Sequence, residues 1–295
     1  MPILLEEDLC RPLPKMYRVR QQFDETCLTD IEGTLRRELA KSEICALVKP
    51  GMRVAVGVGS RGIQNLSCIV ETTVKGLKEL GAKPFIVSAM GSHGGGTEEG
   101  QREVLAGYGV TEERLGVPVV TTVDTVHLGD CANGRPVWFD RAAYEADLIV
   151  PINRVKLHTD FVGPIQSGLC KMLVIGLGNH KGCSAVHEEA PEVFADVIEE
   201  TARLILKKAP IGFGIAILEN AYDKTYAVEA VPAEGLIERE KELVQIARGN
   251  MPYIMLDEAD VIVCDEIGKD VSGAGFDPNI LGRSSVLKKF VLHIP

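Results

Sequence analysis

Three histidines and a lysine stand where their side chains could do chemistry. His93 lies in Met90-Gly91-Ser92-His93-Gly94-Gly95-Gly96-Thr97, and His158 lies in Asn153-Arg154-Val155-Lys156-Leu157-His158-Thr159-Asp160. Each stretch follows an apolar run that reads as a strand, so both imidazoles fall beyond a strand's carboxyl end, where open α/β sheets bind ligands. A lone histidine is more often a plain surface or core residue, but the glycines around His93 clear space for a ligand, and Thr97 is placed to cap the next helix. Imidazole titrates near about pH 6.5 when unperturbed, so a facing pair can accept a proton on one side of a substrate and donate one on the other.

Lys171 ends the small-residue loop Gly163-Pro164-Ile165-Gln166-Ser167-Gly168-Leu169-Cys170-Lys171 and opens the apolar run Lys171–Ile175, which reads as a strand. Its ammonium then lies close to the packed interior, either as a salt-bridged structural lysine or as a desolvated, nucleophilic amine. His180, Cys183 and His187 follow within eight positions and could hold zinc, although two His and one Cys without further pairs make a weak zinc motif. His127, in the strand-like TVHLGD, reads as structural.

Gly57-Val58-Gly59-Ser60-Arg61-Gly62 matches G-x-G-x-x-G at a strand end. A nicotinamide site also needs an acid at the end of the next strand for the ribose hydroxyl. That strand ends Ser88-Ala89-Met90-Gly91, without one. A more general anion site survives: glycines let backbone N–H groups approach, and Arg61 can clamp a carboxylate or phosphate.

The elements that must position these groups are short β-rich runs, each followed by a glycine loop and a helix-period segment. The runs are Arg53–Val58, Pro84–Met90, Asp147–Ile152, Lys171–Ile175, Phe213–Leu218 and Asp260–Cys264. Ile69, Val70, Val74, Leu77 and Leu80 share one helix face closed by Gly81, and a second apolar face runs from Val193 to Ile205. The fold class expected is α/β, a mostly parallel sheet with helices on both faces, Rossmann-like over residues 1–234. A charged linker helix within 235–252 and a fragment of a second α/β lobe at 253–295, with Asp260–Cys264 as its buried strand, complete the expected organisation.

The 295 residues carry 42 acidic against 32 basic side chains, a net charge of -10, which argues against nucleic acid as a partner because phosphate binding needs clustered Lys and Arg. No run reaches the roughly 18 apolar residues of a membrane span. The start, MPILLEEDLCRPLP, has acidic residues where a signal peptide has basic ones, so a cytoplasmic location is expected. The eight cysteines form no C-x-x-C pair and read as reduced thiols.

Taken in order, GSRG, MGSHGGGT, INRVKLHTDFVGP, SGLCKMLVIGLG and His187, with the later IGKDVSGAGFDPN, resemble the nickel-dependent lactate racemase family. That resemblance implies a pincer cofactor, a pyridinium-thiocarboxylate mononucleotide covalently joined to a lysine and holding nickel. By motif, Lys171 matches the tethering lysine, His187 the nickel ligand, and His93 and His158 the two catalytic histidines. Arg61, with Gly59 and Ser60 beside it, matches the arginine that orients substrate or cofactor, and Lys269 matches a cofactor-contacting lysine. The implied activity is racemisation or epimerisation of a 2-hydroxy acid by reversible hydride transfer, with the two histidines as acid and base.

Two departures from the family pattern stand out. Val58 replaces the usual Asp of the loop, pointing from lactate toward a larger hydroxy acid, and the spacer from His158 to Lys171 is slightly longer than usual. Partners expected are a small-molecule 2-hydroxy acid, cofactor-biosynthesis proteins and a second copy of the chain, with neither nucleic acid nor membrane. The alternatives are a non-catalytic protein that binds an anion or hydroxy acid, and a zinc-dependent hydrolase built on His180, Cys183 and His187.

Overall fold

The computed structural model describes residues 10, 12, 15, 17–60, 62–256, 261–268, 275–284 and 289–290. α1 (Ile31–Leu39) precedes β1 (Arg53–Val58), α2 (Leu66–Glu79), β2 (Lys83–Ser88), α3 (Glu98–Gly107) and the short β3 (Val119–Val120). A hairpin of β4 (Thr125–Asp130) and β5 (Pro136–Asp140) follows, then β6 (Leu148–Arg154). One helical turn, α4 (Leu169–Lys171), continues as a widened turn over Met172–Gly176, and α5 (Asn179–His187) follows. After these come α6 (Phe194–Lys208), β7 (Phe213–Glu219), β8 (Thr225–Pro232) and α7 (Leu236–Asn250).

The main sheet has the order β3-β2-β1-β6-β7-β8, parallel except for β8, which runs antiparallel to β7. Its inner strands are buried on both faces, which is why they read as continuous apolar runs rather than as alternation. Successive residues nevertheless enter different cores. Val54, Val56, Val58, Ile86, Val150 and Ile152 pack in one cluster with α1 and α2, while Ala55, Phe85, Val87 and Ile149 pack in another with α6 and α7. Helices therefore cover both faces, as the sequence predicts.

The α2 stripe behaves as expected: Ile69, Val70, Val74 and Leu77 are buried, and Gly81, at φ +85°, turns the chain out of the helix. Thr97 caps α3, its hydroxyl accepting the Gly100 N–H at 3.2 Å. Thr97→Ala is expected to cost about 1 kcal/mol, read as a lower urea midpoint, because that N–H loses its acceptor. An unchanged midpoint would show that the cap contributes nothing.

Two expected strands are not strands. Lys171–Ile175 is helical turn and widened turn, with Met172, Leu173 and Val174 buried. An apolar run of four residues, Met172–Ile175, with three of them buried, has no period that separates strand from helix, and the neighbours decided for helix. In the run Asp260–Cys264, Asp260 lies outside the described residues, and Val261–Cys264 is irregular and exposed, Val261 by 78% and Val263 by 84%. Among the described residues no sheet strand pairs with it, so its β pattern has nothing to bond to. α7, by contrast, inserts Leu236, Ile237, Leu243 and Val244 into the α6-side core. Among the described residues, no helix is long and apolar enough to cross a membrane.

Candidate functional site

The carboxyl ends of three neighbouring parallel strands build the site. Ser60 follows β1, His93 follows β2 and His158 follows β6, with Val58 of β1 in register with Ser88 of β2 and Ile152 of β6. The chain moves from β1 to β2 and β3 on one side, then returns to place β6 on the other. That reversal beside β1 is where an open α/β sheet leaves a crevice.

Contacts from distant parts of the chain hold His93. The Ser60 hydroxyl and the His93 Nδ1 share a short hydrogen bond, and the Tyr108 hydroxyl donates to the Ser60 carbonyl at 2.9 Å. Gln101, fully buried on α3, donates to the carbonyls of Gly91 at 3.2 Å and His93 at 3.4 Å. Gly94 takes φ +64° and would carry a Cβ 2.7 Å from the Gln101 backbone nitrogen, so glycine is required there on two counts.

His158 is fixed on every side. Its N–H donates to Gln166 Oε1 at 2.7 Å, its ring stacks on Phe161 at 4.2 Å, and its carbonyl accepts the Asn279 amide at 3.0 Å. The Asp160 N–H donates to His158 Nδ1 at 3.0 Å, which assigns the ring proton to Nε2. Nε2 in turn lies 2.6 Å from the Lys171 Nζ. The structure thus sets the Lys171 amine beside the imidazole of His158.

His187 comes into the same neighbourhood through aromatic contacts: it meets Phe194 edge-on at 5.2 Å, and Phe194 meets Phe161 at 5.0 Å. Its Nδ1 lies 2.7 Å from the Cys183 carbonyl one helical turn back, which places the proton on Nδ1 and the lone pair on Nε2. The Cys183 thiol bonded to Nδ1 raises the imidazole's pKa, against burial and the nearby Lys171 charge, which lower it. Burial pushes the Cys183 thiol upward, but the His187 and Ser92 contacts outweigh it and leave a net lowering. Cys183 also reaches Ser92, the neighbour of His93, at 3.8 Å.

His180 takes another direction. Its Nδ1 bonds to Ser184 Oγ at 3.1 Å, and it lines an outer groove with Asp124, Lys181 and Ser184. Among the described residues, no three His, Cys, Asp or Glu side chains gather as a metal-binding group, so the alternative zinc trio of His180, Cys183 and His187 does not assemble. His127 lies in the β4–β5 hairpin, paired with Asp130 and packed on Trp138, as a structural residue would be.

Arg61 and Lys269 lie outside the described residues. Gly59 is a close-approach position, where a Cβ would stand 2.9 Å from the Met172 terminal methyl of the turn that follows Lys171. Sequence reasoning missed Phe161 and Phe194, which link His158 to His187, and the buried Glu240 of α7. Glu240 did carry a signal: it is an acid on the apolar stripe of an amphipathic helix.

The lactate racemase N-terminal domain family matches residues 12–195, more than half of the chain. Among solved structures, the lactate racemase apoprotein from Thermoanaerobacterium thermosaccharolyticum is similar, with a TM-score of 0.55 over 72% of this chain and 54% of that one, at 16% identity. At that identity the likeness is one of fold, and this chain spans about half the length of that relative. No curated protein matches the sequence.

Proposed function

Because the chain belongs to the lactate racemase family through its N-terminal domain, we propose that it racemises or epimerises a 2-hydroxy acid with a nickel-pincer cofactor tethered to Lys171. One observation carries the reading: the Lys171 amine meets His158 at 2.6 Å on the sheet edge that also bears His93. A lysine held against an imidazole, beyond a strand's carboxyl end, stands where a tethered group would lie beside His158.

When bound, the cofactor supplies a reversible hydride acceptor. The chain's own residues fit it. His187, its Nδ1 bonded to the Cys183 carbonyl, offers Nε2 as an imidazole donor, and nickel accepts imidazole beside soft sulfur. His93 and His158 come from separate crossovers, so they can address opposite faces of a planar centre. One takes the hydroxyl proton and the other returns a proton to the oxygen after inversion. Ser60 orients the first ring, and Asp160 with Phe161 orients the second. Arg61 supplies the cation for the substrate carboxylate, holding it through both half-reactions. Val58 is fully buried among apolar side chains and contributes no carboxylate to the crevice, in keeping with a hydroxy acid larger than lactate.

Intact-mass analysis of chain produced together with cofactor-making proteins tests the proposal. An adduct is expected on the natural chain and none on Lys171→Ala. Absence of both adduct and bound nickel, with cofactor supply confirmed, refutes it. Binding of hydroxy acids without exchange of the α-hydrogen points instead to a binding protein.

A further inference from the structure

Glu240 stands where the pattern of α7 calls for an apolar side chain. It shares the buried stripe with Leu236, Ile237, Leu243, Val244 and Ala247, and is itself wholly buried. Burial of a carboxylate is unfavourable unless hydrogen bonds compensate, and here burial pushes its pKa up to about 7 while backbone donors pull it back. Those donors identify what it does. Its Oε2 accepts the Cys170 N–H at 2.8 Å, and the neighbouring Leu169 N–H also favours the charged carboxylate.

Leu169 and Cys170 are the first two residues of α4, and the third is Lys171. Opening N–H groups of a helix need an acceptor, ordinarily a Ser, Thr, Asp or Asn side chain at the N-cap. The N-cap here is Gly168, which has no side chain to offer. A Cβ at Gly168 would lie 2.6 Å from the Glu240 carboxylate, so the glycine that removes the local cap also admits the distant one. From the other side, Asn153 of β6 donates to the Gly168 carbonyl at 2.8 Å. The turn before Lys171 is thus gripped by β6 and by α7, seventy residues downstream of Cys170.

We propose that Glu240 is a positioning residue, a remote N-cap that fixes the start of α4 and so aims the Lys171 amine at His158. α4 is a single turn followed by a widened one, so it has little regular hydrogen bonding of its own to hold the lysine's direction. The inference rests on the reading of Lys171 as a reactive amine, and it concerns the chain before any cofactor is attached.

The test is trace acetylation of the cofactor-free full chain with acetic anhydride at pH 7. Mass spectrometry compares the peptide carrying Lys171 with that carrying Lys207, an exposed lysine on α6. In Glu240→Ala the Lys171 to Lys207 ratio is expected to fall about five-fold or more, because the amine loses its alignment with His158. Glu240→Gln keeps an oxygen for the Cys170 N–H and is expected to restore most of the ratio.

Leu77→Ala, a cavity on the opposite face of the sheet, is the stability control and is expected to leave the ratio unchanged. An unchanged ratio in folded Glu240→Ala, or an equal fall in Leu77→Ala, overturns the inference. Should Glu240→Ala not fold, Glu240→Asp, one methylene too short to reach the Cys170 N–H, takes its place under the same two outcomes. A missing adduct or missing nickel refutes the functional reading without touching this ratio, and an unresponsive ratio refutes the positioning role without touching the adduct.

Discussion

Replacing His158 by alanine in cofactor-loaded protein is expected to slow α-hydrogen exchange of the accepted 2-hydroxy acid by about 10²- to 10⁴-fold, the usual worth of a positioned acid–base group. The size of the loss follows from how completely the ring is held. Phe161 sets its plane, the Asp160 N–H sets its tautomer, and Gln166 and Asn279 hold the backbone that carries it. The variant also removes the partner of Lys171, so intact mass must be read on the same sample. A normal adduct with lost exchange places the defect in proton transfer; loss of both places it in attachment. Exchange within about three-fold of the natural chain would show that His158 is not the acid–base group that an effect of 10²-fold or more requires.

Gly176→Val should be the most damaging change outside the reacting groups. A Cβ there would lie 2.7 Å from the Ala89 carbonyl oxygen and 2.7 Å from the Met172 sulfur. The methionine end can swing away, but the carbonyl belongs to the backbone just past β2. The Gly91 N–H also donates to the Gly176 carbonyl at 3.0 Å, so this is the seam between the His93 loop and the turn that follows Lys171. Overpacking a dense core costs about 1–3 kcal/mol, and a branched side chain against backbone belongs at the upper end. Urea unfolding is expected to show that loss. α-Hydrogen exchange should fall as well, because opening the seam moves His93 away from Lys171. A variant as stable as the natural chain would mean that the seam yields without resistance.

How far the site was legible depended on how local its causes were. His93 stood out because the glycines that free its loop are its neighbours in sequence. Thr97 was legible as a cap because the N–H it accepts lies three residues on. Lys171 was recognised as a reactive candidate, but its element was not, since KMLVI fits a buried strand as well as a buried turn. Asp260–Cys264 failed in the opposite sense: it has the composition of a strand, yet a strand exists only where a neighbour accepts its backbone bonds. The grouping of His180 with Cys183 and His187 was reasonable by spacing and incorrect in space, because Ser184 and the outer groove take His180 away.

The sequence by itself determined the alternation of parallel strands and helices, the two-sided burial of the sheet, and the placement of Ser60, His93 and His158 beyond strand ends. These follow from the spacing of apolar residues and from local turn chemistry, both carried by neighbouring residues. The tertiary structure alone decided which nitrogen of His158 and of His187 bears the proton, that His158 faces Lys171, and that an acid from α7 caps the lysine's helical turn. Such features depend on groups brought together from tens of residues apart. A hydrogen bond between them forms only after the sheet and its covering helices have fixed the distance.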